Sequence, residues 1–209
     1  MQQSPLNIKN KIQSFWLWFA ETEDNIREYF AEEEVVDKAA LIEAINNRVL
    51  DFGLFAWEIG PGASRAFYLT ISPNGSKERL RISKQIMEAA PDLPDWEFHY
   101  ARPPREEGLQ FTLYDDFMVE REVDASPWKY VLLPQPEGRV EVLLEAPNTH
   151  HLDPDTRLLA GERVVGNLLG EEARIEFVYR VRVVEELEEG HQDDSAPILA
   201  LRRQVASIG

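Results

Sequence analysis

The spacing of apolar residues changes along the chain from a helical period to a strand period. Over about residues 7–32 the apolar side chains recur every three or four positions, which predicts an amphipathic helix. Asp37 is suited to be the N-cap of a second helix, which we expect to end just before Gly53. The apolar stripe of the first helix consists of Ile12, Phe15, Trp16, Phe19, Ile26 and Phe30.

Two later segments each predict a hairpin, a helix and a strand in that order. In the first segment, apolar residues alternate over 54–72 around a Gly-Pro-Gly turn, and alternate again over 96–101. Between them, Ser76 is suited to cap a helix that runs to Ala90.

The second segment repeats this order without obvious sequence identity to the first. A hairpin is predicted over 128–144, a helix capped by Asp153 over 154–169, and a long strand over 175–184. We expect Leu158 to face inward on this helix and Tyr179 to face inward on the strand.

These patterns predict an α+β fold with an antiparallel or mixed sheet and helices packed on one face. We expect one domain over residues 1–185, in which the two hairpin–helix–strand units occupy about 53–102 and 109–185. Six acidic residues and no basic residue lie between Glu185 and Asp194. We therefore predict an acidic linker and C-terminal tail over 186–209, with a short helix over 196–206.

The composition excludes several classes of function but does not identify a particular one. The 209 residues carry a formal net charge of −16, which disfavours nucleic acid and anionic membranes as partners and allows a basic protein partner. The absence of cysteine excludes disulfides, thiolate zinc sites and a thiol nucleophile. No apolar stretch is long enough to span a bilayer, and no secretory signal is evident, so we expect a cytoplasmic protein.

His151, Asp153 and Glu171 are the candidate metal ligands, although each has a simpler interpretation. Imidazole and carboxylate groups bind zinc when they converge, but adjacent histidines on an extended segment point to opposite sides. Asp153 is already explained as an N-cap. Glu171 follows the predicted end of a helix, where the helix dipole would raise a carboxylate pKa. The favoured interpretation is a structural loop, so no metal and no cofactor are predicted.

Two further features have both a structural and a functional interpretation. Asp115 and Asp116 predict a hairpin turn, with a paired-carboxylate site as the alternative. Trp18 lies at the edge of the first helical stripe, and Trp128 lies at the start of a strand. Packing is favoured for both tryptophans, with a role as partner-binding anchors as the alternative.

Several local patterns resemble an uncharacterised family of bacterial intracellular proteins. They are the aromatic run 15–19, the segments 71–75 and 90–96, the Arg102-Pro103 pair and the segment 167–171. The resemblance implies a bacterial intracellular protein. It brings no known activity, so no functional residue follows from it.

Three functions therefore stay open at the level of sequence. The first is a protein–protein binding or regulatory module, one version being an acidic inhibitor or an immunity-type protein for a basic partner. The second is a small metal-dependent hydrolase. The third is a structural subunit that forms a homo-oligomer through its aromatic N-terminal helix.

Overall fold

The computed structural model describes residues 5–30, 37–105 and 108–208. The chain folds as two units, Met1–Arg102 and Pro103–Gly209. In the first unit, two helices precede a hairpin, a third helix and a final strand. The elements are α1 (Pro5–Phe30), α2 (Lys38–Leu50), β1 (Ala56–Pro61), β2 (Phe67–Ser72), α3 (Lys77–Glu88) and β3 (Trp96–His99).

The core of the first unit forms between the aromatic stripe of α1 and one face of the sheet. Ile12, Phe15, Trp16, Phe19 and Ile26 are all buried, as the spacing predicts, while the side chain of Phe30 and residues 31 and 32 lie outside the described part of the chain. This burial makes α1 part of the hydrophobic core of the first unit.

The second unit begins with the isolated hairpin β4 (Gln110–Tyr114) and β5 (Glu120–Asp124). The remaining elements build a four-stranded sheet, with strand order β8-β7-β6-β9, and its helices. They are β6 (Lys129–Pro134), β7 (Val140–Glu145), α4 (Pro154–Leu169), α5 (Glu171–Phe177), β8 (Val178–Val184), α6 (Glu189–Gln192), β9 (Ala196–Pro197) and α7 (Leu201–Ala206).

Both predicted hairpin–helix–strand units are present, with the same strand connections. In the first unit β1 and β2 are antiparallel, and β3 returns after α3 to lie parallel to β2. In the second unit β6 and β7 are antiparallel, and β8 returns after α4 and α5 to lie parallel to β7. The prediction of an α+β fold with mixed sheets is confirmed.

The long strand predicted from residue 175 is shorter in the structure. Gly170 adopts a φ of 76°, which ends α4, and the next helix continues to Phe177 before β8 begins. A β-bulge then places Tyr179 opposite no residue of β7. The bulge reverses the alternation, so Tyr179 is exposed while Val178 and Val181 are buried. The inward orientation predicted for Tyr179 is therefore wrong.

The inward orientation predicted for Leu158 is also wrong, since its side chain is 42% exposed. The buried stripe of α4 is centred on Ala160, Val164 and Leu168, which follow one another at intervals of four residues. Leu158 falls at the edge of this stripe.

Residues 186–208 pack on the second unit where an acidic linker and tail were predicted. Leu187 is buried against one face of the sheet, and Ile198, Leu201 and Val205 are buried in the main core of the unit. The predicted terminal helix corresponds to α7. The acidic side chains of this segment are exposed, while four of its apolar side chains are buried. Within the described ranges, no helix is long and apolar enough to cross a membrane.

Candidate functional site: the tip of the β4–β5 hairpin

The turn between β4 and β5 carries an unusual group of exposed apolar side chains. Phe117 is 87% exposed and Met118 is 76% exposed, and the neighbouring Tyr114 and Val119 are also exposed. Exposed single apolar residues are ordinary, but contiguous apolar patches on a protein surface mark interaction sites. We call Tyr114, Phe117, Met118 and Val119 together the hairpin tip.

Asp115 fixes the conformation of this turn from within. One carboxylate oxygen accepts hydrogen bonds from the backbone N–H groups of Phe117 and Val119, both at 2.9 Å. The other oxygen accepts a hydrogen bond of 2.9 Å from Arg121 Nε and forms an ion pair with Arg121 Nη2 at 2.8 Å. Backbone hydrogen bonds from Asp115 N to Val119 O and from Met118 N to Asp115 O close the turn. The tip is therefore held in one conformation by its own hydrogen bonds.

The electrostatics of Asp115 favour its charged form. The hydrogen bond from the Val119 backbone lowers the pKa of Asp115 most, and the bonds from Arg121 and the Phe117 backbone lower it further against the opposing effect of burial. Asp115 is therefore ionised at neutral pH and keeps its two backbone donors. The sequence-based interpretation of Asp115 and Asp116 as a hairpin turn is the one that the structure confirms.

Met118 adopts a left-handed backbone conformation, with φ of 60°. This region is uncommon for residues other than glycine and asparagine. Sustained backbone strain is found where the surrounding structure fixes the conformation, and such residues cluster at functional sites. Here Asp115 accepts hydrogen bonds from the two residues that flank Met118, Phe117 and Val119, and these bonds fix the backbone. The large Met118 side chain is therefore exposed at the apex of the turn.

The base of the hairpin is packed on the second unit, and one carbonyl on each of its edges is contacted by a side chain. Leu113 and Val123 are buried in the core of the second unit. On one edge, Arg163 Nη1 donates a hydrogen bond of 2.9 Å to the Thr112 carbonyl. On the other edge, His151 Nε2 lies 3.4 Å from the Glu122 carbonyl oxygen. A strand from another chain would have to displace one side chain at each edge, whereas no such contact covers the tip among the described residues.

The three predicted metal candidates have separate structural roles. His151 contacts the β5 edge and lines a polar cavity of about 630 Å³. Asp153 caps α4, accepting hydrogen bonds from the Asp155 and Thr156 backbone N–H groups and from the Thr156 hydroxyl. The Thr156 hydroxyl bond is the main reason why the pKa of Asp153 is lowered. Among the residues that the structure describes, no three histidine or carboxylate groups are arranged to hold a metal ion.

Glu171 begins α5 as well as following α4. The helix dipole at an N-terminus favours a carboxylate. The sequence placed Glu171 only after the end of a helix, whereas the structure also places it at the start of the next one.

The two tryptophan candidates differ in accessibility. Trp128 is 1% exposed and donates a hydrogen bond of 2.8 Å to Asn148 Oδ1, so it is a core residue that no partner can reach in this conformation. Trp18 is partly buried, and the Arg48 guanidinium lies 4.0 Å from the centre of its ring. Trp18 is therefore already engaged by a cation–π contact within its own unit.

A second concave surface lies between α1 and α3 in the first unit. This groove, of about 940 Å³, has an apolar floor that includes Ile12 and Trp16. Its lining carries both Lys9 and Glu88. Because the lining carries both a positive and a negative side chain, it does not indicate the charge of a partner. The groove is therefore a weaker candidate site than the tip.

Sequence reasoning missed Phe117 and Met118. A signal was available, because turns are normally polar and contain Gly, Pro, Asn, Asp or Ser. Three consecutive large apolar residues, 117–119, directly after two aspartates contradict that rule.

Searches against protein-family models, curated proteins and solved structures find no match to this chain.

Proposed function

We propose that this protein is a binding module that acts by protein–protein contact through the hairpin tip. The observation that carries the proposal is the exposure of Phe117 and Met118 on a turn that Asp115 fixes. A turn whose backbone is already fixed loses less conformational entropy on binding, and large side chains that become buried supply much of the affinity of interfaces. The version that we favour is a regulatory or inhibitory module that binds a basic protein partner.

The charge of the chain supports a basic protein as the partner. A net charge of −16 repels nucleic acid and anionic lipid, and it attracts cationic surfaces over a distance of about 8–10 Å at physiological salt. We propose that the protein acts in the cytoplasm, where such partners are available. Electrostatic attraction of this kind increases the association rate more than it increases the final affinity.

The two alternatives have weaker support. A metal-dependent hydrolase needs converging ligands, whereas His151, Asp153 and Glu171 have separate roles. A homo-oligomer formed by α1 needs its aromatic stripe at the surface, whereas that stripe is buried in the first unit. Two copies of a chain with a charge of −16 also repel each other.

Photo-cross-linking in the cell of origin tests the proposal directly. A photoreactive phenylalanine analogue replaces Phe117 in one strain and Leu199 in another, because Leu199 is a 66% exposed apolar residue of the same unit and serves as the control. We expect one discrete protein adduct from position 117 and none from position 199. Equal adducts from both positions, or none from position 117, would contradict the proposal.

A further inference from the structure

We infer that the hairpin tip inserts into a concave apolar pocket with a basic rim on a folded protein partner. This inference rests on the proposed function and specifies the chemistry of the partner. It follows from the shape of the tip, from the charges beside it and from the state of the hairpin edges.

The shape of the tip requires a concave counterpart. Phe117 and Met118 occupy the apex of a two-stranded hairpin and are the two most exposed large apolar side chains on the described surface. Because a convex apex touches a flat surface only at a point, burial of both side chains requires a pocket that surrounds them. Pockets of this kind are the usual binding or active sites of proteins.

The charges beside the tip require a basic rim. Asp116, Glu120 and Glu122 are exposed and lie on the turn or on β5. Arg121 on β5 is bound to the buried Asp115 carboxylate, and Arg163 donates to the Thr112 carbonyl on β4, so both cations have partners other than these three acids. A partner that surrounds the apex therefore meets three carboxylates at its rim, which lysine and arginine side chains complement.

The same charges disfavour two other occupants. An apolar loop can insert into a bilayer, but these carboxylates would be brought against the phosphates of an anionic membrane. The tip of a second copy carries the same three acids, so self-association through it brings like charges together. Strand addition is disfavoured as well, because Arg163 and His151 occupy the two edges.

Selection from displayed protein fragments provides a defined probe. Fragments of the proteins of the encoding organism are displayed on phage and selected on the intact immobilised chain. The bound pool is then divided according to binding to a double variant, F117S/M118S, and to the control variant L199S. We expect fragments that bind the wild type and L199S at least about 10-fold more tightly than the tip variant, and that contain folded domains rich in Lys and Arg.

Charge reversal separates the two parts of the inference. The variant D116K/E120K keeps the apolar apex but reverses its flanking charges. We expect slower association of the selected fragments with this variant, and also slower association with the wild type as salt increases. Acidic or neutral fragments, or association rates unaffected by charge reversal, would overturn the basic rim while leaving the proposed function in place.

The remaining outcomes also decide the question. If fragments bind with equal affinity to the tip variant, the tip is not the site, so the inference fails and so does the part of the proposed function that places binding at the tip. If no fragment is selected, the proposed function itself fails. If the chain co-sediments with vesicles of phosphatidylcholine and phosphatidylglycerol in a 3:1 ratio, and this depends on Phe117, the tip binds a membrane surface and the inference of a protein pocket is wrong. If the molecular mass doubles as the concentration rises for the wild type but not for F117S/M118S, the tip binds a second copy of the chain and the inference of a pocket on another protein is wrong.

Discussion

Replacing Gly161 with alanine tests how closely α4 packs on the strands of the second unit. A Cβ atom at this position would overlap Val183 Cγ2 and lie 3.2 Å from Leu144 Cδ1. Val183 is β-branched, so its side chain has few alternative rotamers. Gly166 provides a matched control in the same helix, because a Cβ there meets no atom within 4 Å.

The expected free energies of unfolding follow from two opposing effects. Alanine is favoured over glycine in a helix by about 1 kcal/mol, and this gain applies equally to both positions. Overpacking a core costs about 1–3 kcal/mol, and this cost applies only at Gly161. We therefore expect G166A to be about 1 kcal/mol more stable than the wild type, and G161A to be about 1 kcal/mol less stable.

Urea unfolding of the two variants measures this difference, which should be about 2 kcal/mol. The loss of unfolded-state entropy is the same for both substitutions, so it cancels in the comparison. Equal stability of G161A and G166A would refute the close packing of α4 on β7 and β8.

Three other substitutions test separate parts of the structure. The pKa of Glu141 is affected most by burial, which raises it, but the combined hydrogen bonds from the two partly exposed arginines Arg180 and Arg182 lower it on balance. The ionised Glu141 therefore contributes fully to the free energy of unfolding above the unfolded-state pKa of about 4.3. This contribution is lost as the pH falls through the lower folded-state pKa. E141Q should be about 1 kcal/mol less stable than the wild type at pH 7, and urea titrations should show this difference decreasing as the pH falls; a difference that does not depend on pH would contradict the ion pairs. W16F should cost about 2 kcal/mol because the Ile86 carbonyl loses the indole donor that lies 2.7 Å away, whereas an unchanged melting temperature would mean that α1 is not part of the core. F117S should change the free energy of unfolding by less than about 0.5 kcal/mol, and a larger loss would mean that its ring packs against the protein.

Local patterns predicted most of the elements because the forces that define them are local. The side chains of Asp37, Ser76 and Asp153 each cap a helix by accepting backbone hydrogen bonds, and each cap could be recognised from a few neighbouring residues. The alternation over 54–72 depends on burial of one sheet face, which has a period of two in any sequence.

The missed elements depend on contacts that no short segment contains. Strand β5, with the sequence Glu-Arg-Glu-Val-Asp, has one apolar residue and forms because it pairs with β4. Helix α5 begins directly after Gly170, whose left-handed backbone separates two helices where one helix end was expected. The burial of Leu201 and Val205 depends on the core of the second unit, which an acidic run earlier in the sequence does not indicate.

The candidate site was only partly predictable for the same reason. The turn at Asp115 and Asp116 follows from ordinary turn chemistry. The exposure of Phe117 and Met118 follows from the position of the turn beyond the packed base of the hairpin, which is a property of the whole second unit. An apolar sequence inside a turn indicates a site only when its side chains remain at the surface.

The most direct test of the account is the dissociation constant of the partner cross-linked through position 117, measured for three purified chains. These chains are the wild type, F117S/M118S and L199S, and circular dichroism must first show that all three are folded. We expect the tip variant to bind about 30-fold or more weakly than the wild type, which corresponds to the loss of about 2 kcal/mol typical of an interface hot spot, and we expect L199S to bind as the wild type does. Equal dissociation constants for the wild type and the tip variant would contradict the assignment of the β4–β5 tip as the binding surface.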